Sequence, residues 1–399
     1  MKYRLLEILC CPGCSGDLRL DVFTIKQLQS ETLTLNNKTA SCHQHCGLRN
    51  LAAKDVNPSE CPDCYNIEIL EGKLSCQCGN IYPIIGGIPR LLPQELLHET
   101  LTQYHADFVS KYPDMFPVSG GRISESRKKI ETMHAFGYQW TTFVRNFDYF
   151  REIFLSFVRP FLSPDDFSNR LVLEVGCGSG RPASIASSLG AEVVAVDLSE
   201  AVQTAYAQAQ HYPRLHIIQA DAYSLPVKPC FDFVYSVGVL QHLSDPQTAI
   251  KSIARAVPFG HKLVIWVYGK RELWYQPIKW LRKLTVKMPY RLLHRLSFVL
   301  AVLSEVFLLT PYRFLSRFTA TQSFANKIPG HIYANFPFKE NVLGWFDRLG
   351  APVTYYFTKE DVERMLTNAG FHHINVTARP GASASWVAEA TRLPVRRDS

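Results

Sequence analysis

One stretch constrains the fold of this chain more than any other. RLVLEVGCGSGRPASIASSLG is a short apolar run, a glycine-rich turn and a helical segment, and AEVVAVDLS then supplies a second apolar run ending in an acid. Strand, tight turn, helix and strand make a βαβ opening, so an α/β fold with a parallel sheet is predicted. Gly176, Gly178 and Gly180 let the backbone approach a ligand where a Cβ would collide. A dinucleotide fingerprint would place its third glycine at 181, and that residue is Arg181. Asp197 closes the second strand, where a carboxylate can accept both hydroxyls of a ribose.

Further stations follow in order. LHIIQA leads to Asp221 and Ala222, FDFVYSVGVLQHL is a fourth strand, and KLVIWVYG is a fifth. Near the far end, FTKEDVERMLTNAG reads as a helix stopped by Gly370, followed by strands at HHINVTA and ASWVAEA. In this order the block resembles the class I S-adenosylmethionine-dependent methyltransferases of the small-molecule, methyltransferase-11-like type. The resemblance implies a doubly wound, mostly parallel seven-stranded sheet closed by an antiparallel hairpin, with a helical insertion after strand five. It also implies an S-adenosylmethionine site. Glu174 would hold the methionine amino end, and the turn at Gly176, Gly178 and Gly180 would face the polar cofactor. Asp197 with Leu198 would take the ribose, Asp221 with Ala222 the adenine, and Ser236 would stand at the end of strand four. Tyr138, Gln139 and Trp140 would be cofactor neighbours.

The acceptor is less constrained. Base amino methylation usually uses Asn or Asp, two prolines and an aromatic after strand four, and SVGVLQH stands there instead. Carbon-5 pyrimidine chemistry needs a cysteine at the cleft end of a strand, whereas Cys230 precedes strand four. VLQHLSDP resembles small-molecule enzymes such as those of quinone biosynthesis. His242 is either a general base, since an imidazole titrates near neutrality, or a packing residue at a helix start. Tyr355 and Tyr356, with Asp347 and Arg348, are candidate acceptor-site residues. An rRNA guanine methyltransferase with a zinc ribbon, or a binding or activator protein with a degenerate catalytic domain, are the alternatives to a small-molecule or lipid- or saccharide-linked acceptor.

Nine of the eleven cysteines lie within the first 78 residues. Closely spaced pairs in a chain with no export signal read as thiolate metal ligands. Cys11 and Cys14, Cys42 and Cys46, Cys61 and Cys64, and Cys76 and Cys78 make two four-thiolate sites, probed best by zinc, with the outer pairs in one site and the inner pairs in the other. Cys10, His43 and His45 are spare ligands or surface and packing residues. ILCCPGCSGDL and LSCQCGNIYPIIGGIPRLLP resemble the zinc-ribbon proteins that activate tRNA and release-factor methyltransferases. The domains expected are a ribbon over 1–95, a linker over 96–130 with its boundary near Gly120, a catalytic domain over 131–269 and 354–391, and an insertion over 270–353.

Charge is concentrated. Between Arg271 and Arg317 stand nine Lys or Arg and two acids, leaving seven of the net eight positive charges of the chain in one segment. That segment also carries tryptophans and an apolar run of about 14 residues, short of the roughly 20 needed for a spanning helix. A lid, a peripheral contact with anionic membrane and an RNA contact are the three readings. A cytoplasmic location, membrane-peripheral at most, is expected.

Overall fold

Apolar runs become the strands of one sheet because covering helices bury both of its faces. The computed structural model describes residues 1–28, 42, 44–116, 127–143, 150–270, 276–326, 328, 330–380 and 382–394. The chain opens with β1 (Leu18–Gln27), the two-residue strands β2 (His45–Cys46) and β3 (Leu51–Ala52), and a single turn α1 (Asp63–Asn66). Then come β4 (Ile67–Cys76), β5 (Ile81–Ile85) and β6 (Ile88–Leu91). Four helices follow: α2 (Gln94–Tyr104), α3 (Ala106–Lys111), α4 (Arg127–Thr142) and α5 (Phe150–Val158).

The glycine-rich block gives β7 (Leu171–Val175), α6 (Arg181–Ser188), β8 (Glu192–Asp197), α7 (Val202–Ala209) and β9 (Leu215–Ala220). β10 (Phe233–Val237), α8 (Pro246–Ala256) and β11 (Lys262–Tyr268) continue it. The insertion holds α9 (Gln276–Thr285), α10 (Tyr290–Ser304), a π-helical segment Glu305–Leu309, α11 (Thr310–Leu315), α12 (Thr319–Ala325) and α13 (Phe338–Gly350). The chain returns through α14 (Lys359–Thr367), β12 (Phe371–Arg379) and β13 (Ala382–Arg392).

The strand order is β1-β4-β5-β6-β9-β8-β7-β10-β11-β13-β12. From β9 to β12 this is the expected seven-stranded sheet, parallel except for β13, which runs antiparallel to both β11 and β12. The sheet does not stop at seven strands. β6 pairs in parallel with the edge strand β9, Arg90 opposite Gln219 and Leu91 opposite Ala220, so the front module extends the sheet to eleven. An edge strand presents unpaired amides and carbonyls, and the module satisfies them here.

Ionic contacts at this junction lie deep. Arg4 reaches Glu192 at 3.1 Å, and Glu192 also accepts from His216 and from the Tyr65 hydroxyl, each at 3.1 Å. Burial alone would raise the Glu192 carboxyl, but the Arg4 charge and the His216 hydrogen bond hold it down at about 2. Arg90, wholly buried, pairs with Glu200 at 3.0 Å.

Two expectations change. In the stretch read as linker, α2 and α3 are helical up to Lys111, with Leu96, Leu97, Leu101 and Phe108 in the core. Nearby proline and glycine punctuation concealed that leucine spacing, and Gly120 lies outside the described residues. The apolar run of the insertion is longer than its uncharged stretch suggests. Tyr290–Leu315 is a 26-residue helix that is, by length and composition, apolar enough to cross a membrane. Pro311 would break an α-helix by removing a backbone donor, and the π turn just before it absorbs the mismatch.

Candidate active site and cysteine cluster

Strand β7 ends in a turn that only glycine backbones fit. Gly176 has φ +82°, and a Cβ there would come within 2.1 Å of Val239; at Gly178, with φ +53°, a Cβ would press on Trp140 at 3.1 Å. Gly180 caps α6, and the nearest atoms to its absent Cβ belong to Ala205 of α7, so this third glycine serves helix packing. Asp197, at the end of β8, pins the turn: its Oδ2 accepts from the Gly178 amide at 2.8 Å, while Oδ1 accepts from the Ser199 amide at 2.9 Å and hydroxyl at 2.7 Å. Burial pushes the Asp197 carboxyl upward, against these three donors.

The carboxyl ends of the parallel strands open on a cavity of about 670 Å³. That volume lies in the range of small-molecule sites. Gly176, Gly178, Asp197, Leu198, Asp221, Ala222 and His242 line it, as do Gln139, Trp140, Asp347, Arg348 and Tyr356. Asp221 Oδ1 accepts from the Tyr223 amide at 3.0 Å, and Oδ2 pairs with Lys129 Nζ, which also lies 4.7 Å from the Tyr223 ring centroid.

His242, in the 3₁₀ turn after β10, packs on Phe136 with ring centroids 4.9 Å apart. Its Nδ1 lies 3.0 Å from the Val353 carbonyl oxygen. A carbonyl only accepts, so Nδ1 carries the proton and Nε2 keeps the lone pair in the neutral ring. Burial lowers the pKa of this histidine, which keeps it neutral near pH 7. Facing it, Asp347 accepts from the Tyr268 hydroxyl at 2.9 Å, and Arg282 donates to the Tyr356 hydroxyl at 3.2 Å.

Several residues singled out in the sequence stand off the cavity. Glu174 is buried behind the turn, where the Tyr235 hydroxyl donates to it at 3.1 Å and burial raises its carboxyl to about 8. The Ser236 hydroxyl turns back to the Val175 carbonyl at 2.9 Å. Tyr355 points outward and donates to the Ser244 carbonyl at 3.1 Å. Tyr138 stacks on Tyr290 at 4.9 Å instead of facing the cavity. Conversely, α4 contributes Thr132, Met133 and Phe136 to the lining, with Lys129 reaching Asp221 one turn earlier. Their i, i+3, i+4, i+7 spacing was present in the sequence as a single helix face.

In the front module Cys11, Cys14, Cys76 and Cys78 converge, their Sγ atoms all within 4.8 Å of one another. Cys11 and Cys78 are 3.7 Å apart and Cys14 and Cys76 3.3 Å. A tetrahedral zinc with bonds of ~2.3 Å has sulfur edges of about 3.8 Å, so this donor set fits the ion. The single residue between Cys76 and Cys78 does not prevent both from joining. Of the inner four, Cys46 and Cys64 stand 3.7 Å apart, and Cys42, Cys46, Cys61 and Cys64 are all buried. Among the described residues the outer four are the one group that meets metal-site geometry. Cys10 is buried, its amide bonded to Pro226. His45 is exposed in β2, and His43 lies outside the described residues.

Comparisons with known proteins match two separate stretches of the chain. Residues 173–265 match the family described as a methyltransferase domain, and residues 2–87 match the Trm112p-like proteins. A tRNA U34 carboxymethyltransferase of Pseudoalteromonas atlantica is 33% identical over 101 residues, 24% of this chain and 31% of that one. An O-methyltransferase of Aspergillus sclerotiorum is 33% identical over 100 residues, 24% of this chain and 38% of that one. The chain therefore spans about a third of the length of these relatives. A solved complex containing the Haloferax volcanii Trm112 methyltransferase activator is similar at TM-score 0.40 and 12% identity, covering 67% of this chain and 98% of that one, a likeness too small to argue from. By these matches the chain is similar over residues 173–265 to methyltransferase domains and over residues 2–87 to Trm112p-like proteins, and strands of both regions belong to one eleven-stranded sheet.

Proposed function

We propose that the protein transfers a methyl group from S-adenosylmethionine to a small-molecule or lipid- or saccharide-linked acceptor. The observation that carries this reading is the cavity at the carboxyl ends of β7 to β10, where Asp197 and Asp221 stand on successive strand ends beside a glycine turn. Asp197 and Leu198 would hold the ribose, and Asp221 and Ala222 the adenine. The Gly176–Gly178 backbone would face the amino-acid end, and Trp140 would close over it. Glu174 and Ser236 support the turn and strand end from behind. When bound, the cofactor supplies an electrophilic methyl on a sulfonium sulfur, and the remaining work is alignment and exclusion of water.

His242 is positioned to take the acceptor's proton at Nε2, because Nδ1 is committed to Val353 and burial keeps the ring neutral. Asp347, Arg348 and Tyr356 would shape the acceptor end, and Tyr355 acts from outside by bracing Ser244. In the front module we infer two zinc ions, the first in the Cys11, Cys14, Cys76 and Cys78 cluster and the second among Cys42, Cys46, Cys61 and Cys64. The second is supported by four buried thiols, three of them in a small subcore whose other members are Ala53, Val56, Tyr65 and Leu48.

Calorimetry on the purified chain tests the cofactor: S-adenosylmethionine should bind, and Asp197→Ala and Gly178→Arg should abolish the heat. Tight binding of a nicotinamide nucleotide with no response to the methyl donor would overturn the reading. Incubation with labelled donor and fractionated cell extract should put label into lipid or small solutes; label in RNA would replace the acceptor class. Elemental analysis should return two zinc per chain, falling to one in Cys46→Ser/Cys64→Ser.

A further inference from the structure

The helix Tyr290–Leu315 is arranged inside out. A surface helix of a water-soluble protein buries its apolar stripe and shows its polar one. Here the buried residues are Leu293, Ser297, Ala301, Ser304 and Leu309, three of the five small or polar, whereas Val299, Val306 and Phe307 are 51%, 55% and 70% exposed. The exposed apolar side chains continue beyond this helix in both directions. Trp280 on α9 is 66% exposed and Phe324 on α12 is 65% exposed. Large apolar side chains left exposed on successive helices mark an interaction site.

Charge decides which partner fits. Lys283, Arg291 and Arg295 on these helices, and Lys287 and Arg317 in the turns that follow α9 and α11, are exposed. From Gln276 to Lys339 the sequence holds a single acid, Glu305, and its carboxylate is taken by Arg313. Apolar side chains flanked by unopposed cations, with a tryptophan among them, match the acyl boundary and headgroup layer of an anionic bilayer. The helix does not cross that bilayer, because its other flank is fastened to the enzyme. The Ser304 hydroxyl accepts from Trp345 Nε1 at 2.8 Å, and Asn341 donates to the Ala301 carbonyl at 3.2 Å.

We propose that α9 and the helix Tyr290–Leu315 form a docking face that seats the protein peripherally on an anionic lipid bilayer. Ser304, Leu308 and Leu309 of the same helix line the cavity, so a docked enzyme draws its acceptor from the lipid side. That second clause rests on the methyl-transfer reading; the docking itself does not.

The test is sedimentation of the full chain with vesicles of phosphatidylcholine, alone or mixed with phosphatidylglycerol, in the absence of methyl donor. Binding is expected to the mixed vesicles, to weaken as salt is raised, and to fall at least about tenfold in Val299→Asp/Val306→Asp/Phe307→Asp and in Lys283→Glu/Lys287→Glu. Circular dichroism and donor binding of both variants should match the parent, which separates lost docking from lost folding or a lost cofactor site. No sedimentation with either vesicle, or a dimer in light scattering that the triple aspartate variant dissolves, would overturn the proposal, as would resistance of vesicle-bound protein to alkaline carbonate extraction.

Discussion

The same seven-stranded domain carries two additions, and they meet it with opposite chemistry. The front module joins at the edge strand β9, continues the backbone ladder and buries its charges in pairs: Arg4 with Glu192, Arg90 with Glu200. The insertion after β11 packs through small and polar side chains and turns its large apolar ones outward. A buried ion pair is costly unless both partners stay, so the first contact is permanent and all-or-none. The second leaves one flank of a helix available for something else. Depth of burial, and not the number of charged or apolar residues, separates a structural junction from a surface awaiting a partner.

The comparison breaks most visibly at Arg4. Arg4→Met leaves Glu192 buried with one cation fewer, and denaturant unfolding should show a loss of about 3–5 kcal/mol. The pH dependence has a definite sign. Because Glu192 is held near 2 when folded, its contribution is complete above the unfolded carboxylate range and disappears as pH falls from about 5 towards 2. The variant should be flatter across that window.

A matched pair of phenylalanines comes next. Phe346→Ala, in the subcore beneath α13, should cost about 3 kcal/mol or more, whereas Phe307→Ala on the outer flank should stay within about 0.5 kcal/mol, both read from denaturation midpoints.

Between the two additions lies Glu174, where burial works in the other direction. Its folded pKa of about 8 means that the folded chain keeps a proton which the unfolded chain releases near 4.5, so stability falls as pH rises through that interval. Glu174→Gln should remove a slope of about 1.4 kcal/mol per pH unit there. The smallest effect belongs to an exposed pair: Arg49→Ala, which breaks contacts with Glu60 and Asp63, should change stability by less than about 1 kcal/mol.

The seven strands from β9 to β12 were legible because the parallel strands β7 to β11 are largely apolar runs bounded by turn residues, and Asp197, Asp221 and the glycine turn stood at fixed ends of those runs. The other four strands of the sheet were not foreseen as one with them. Nothing in IPRL marks it as the neighbour of LHIIQA, since strand pairing across 129 positions, from Arg90 to Gln219, leaves no local trace. The cavity was half legible. Residues at strand ends were found, but Lys129 and Phe136 reach it from a helix whose destination depends on tertiary packing, and Glu174 and Ser236 turn away because their bonds to Tyr235 and Val175 are internal. The helix Tyr290–Leu315 within the insertion outruns the apolar run read from the sequence, because charge marks where an apolar run ends but not where a helix does.

The strand that β6 lends to β9 has one more consequence. In an assembly of separate chains, occupancy of such an edge would follow concentration and could be titrated away by competitors. Supplied by the same polypeptide, the strand has an effective concentration set by the tether, and dilution does not remove it. Stoichiometry is then fixed at one to one by synthesis, and no free pool exists through which this contact could be regulated.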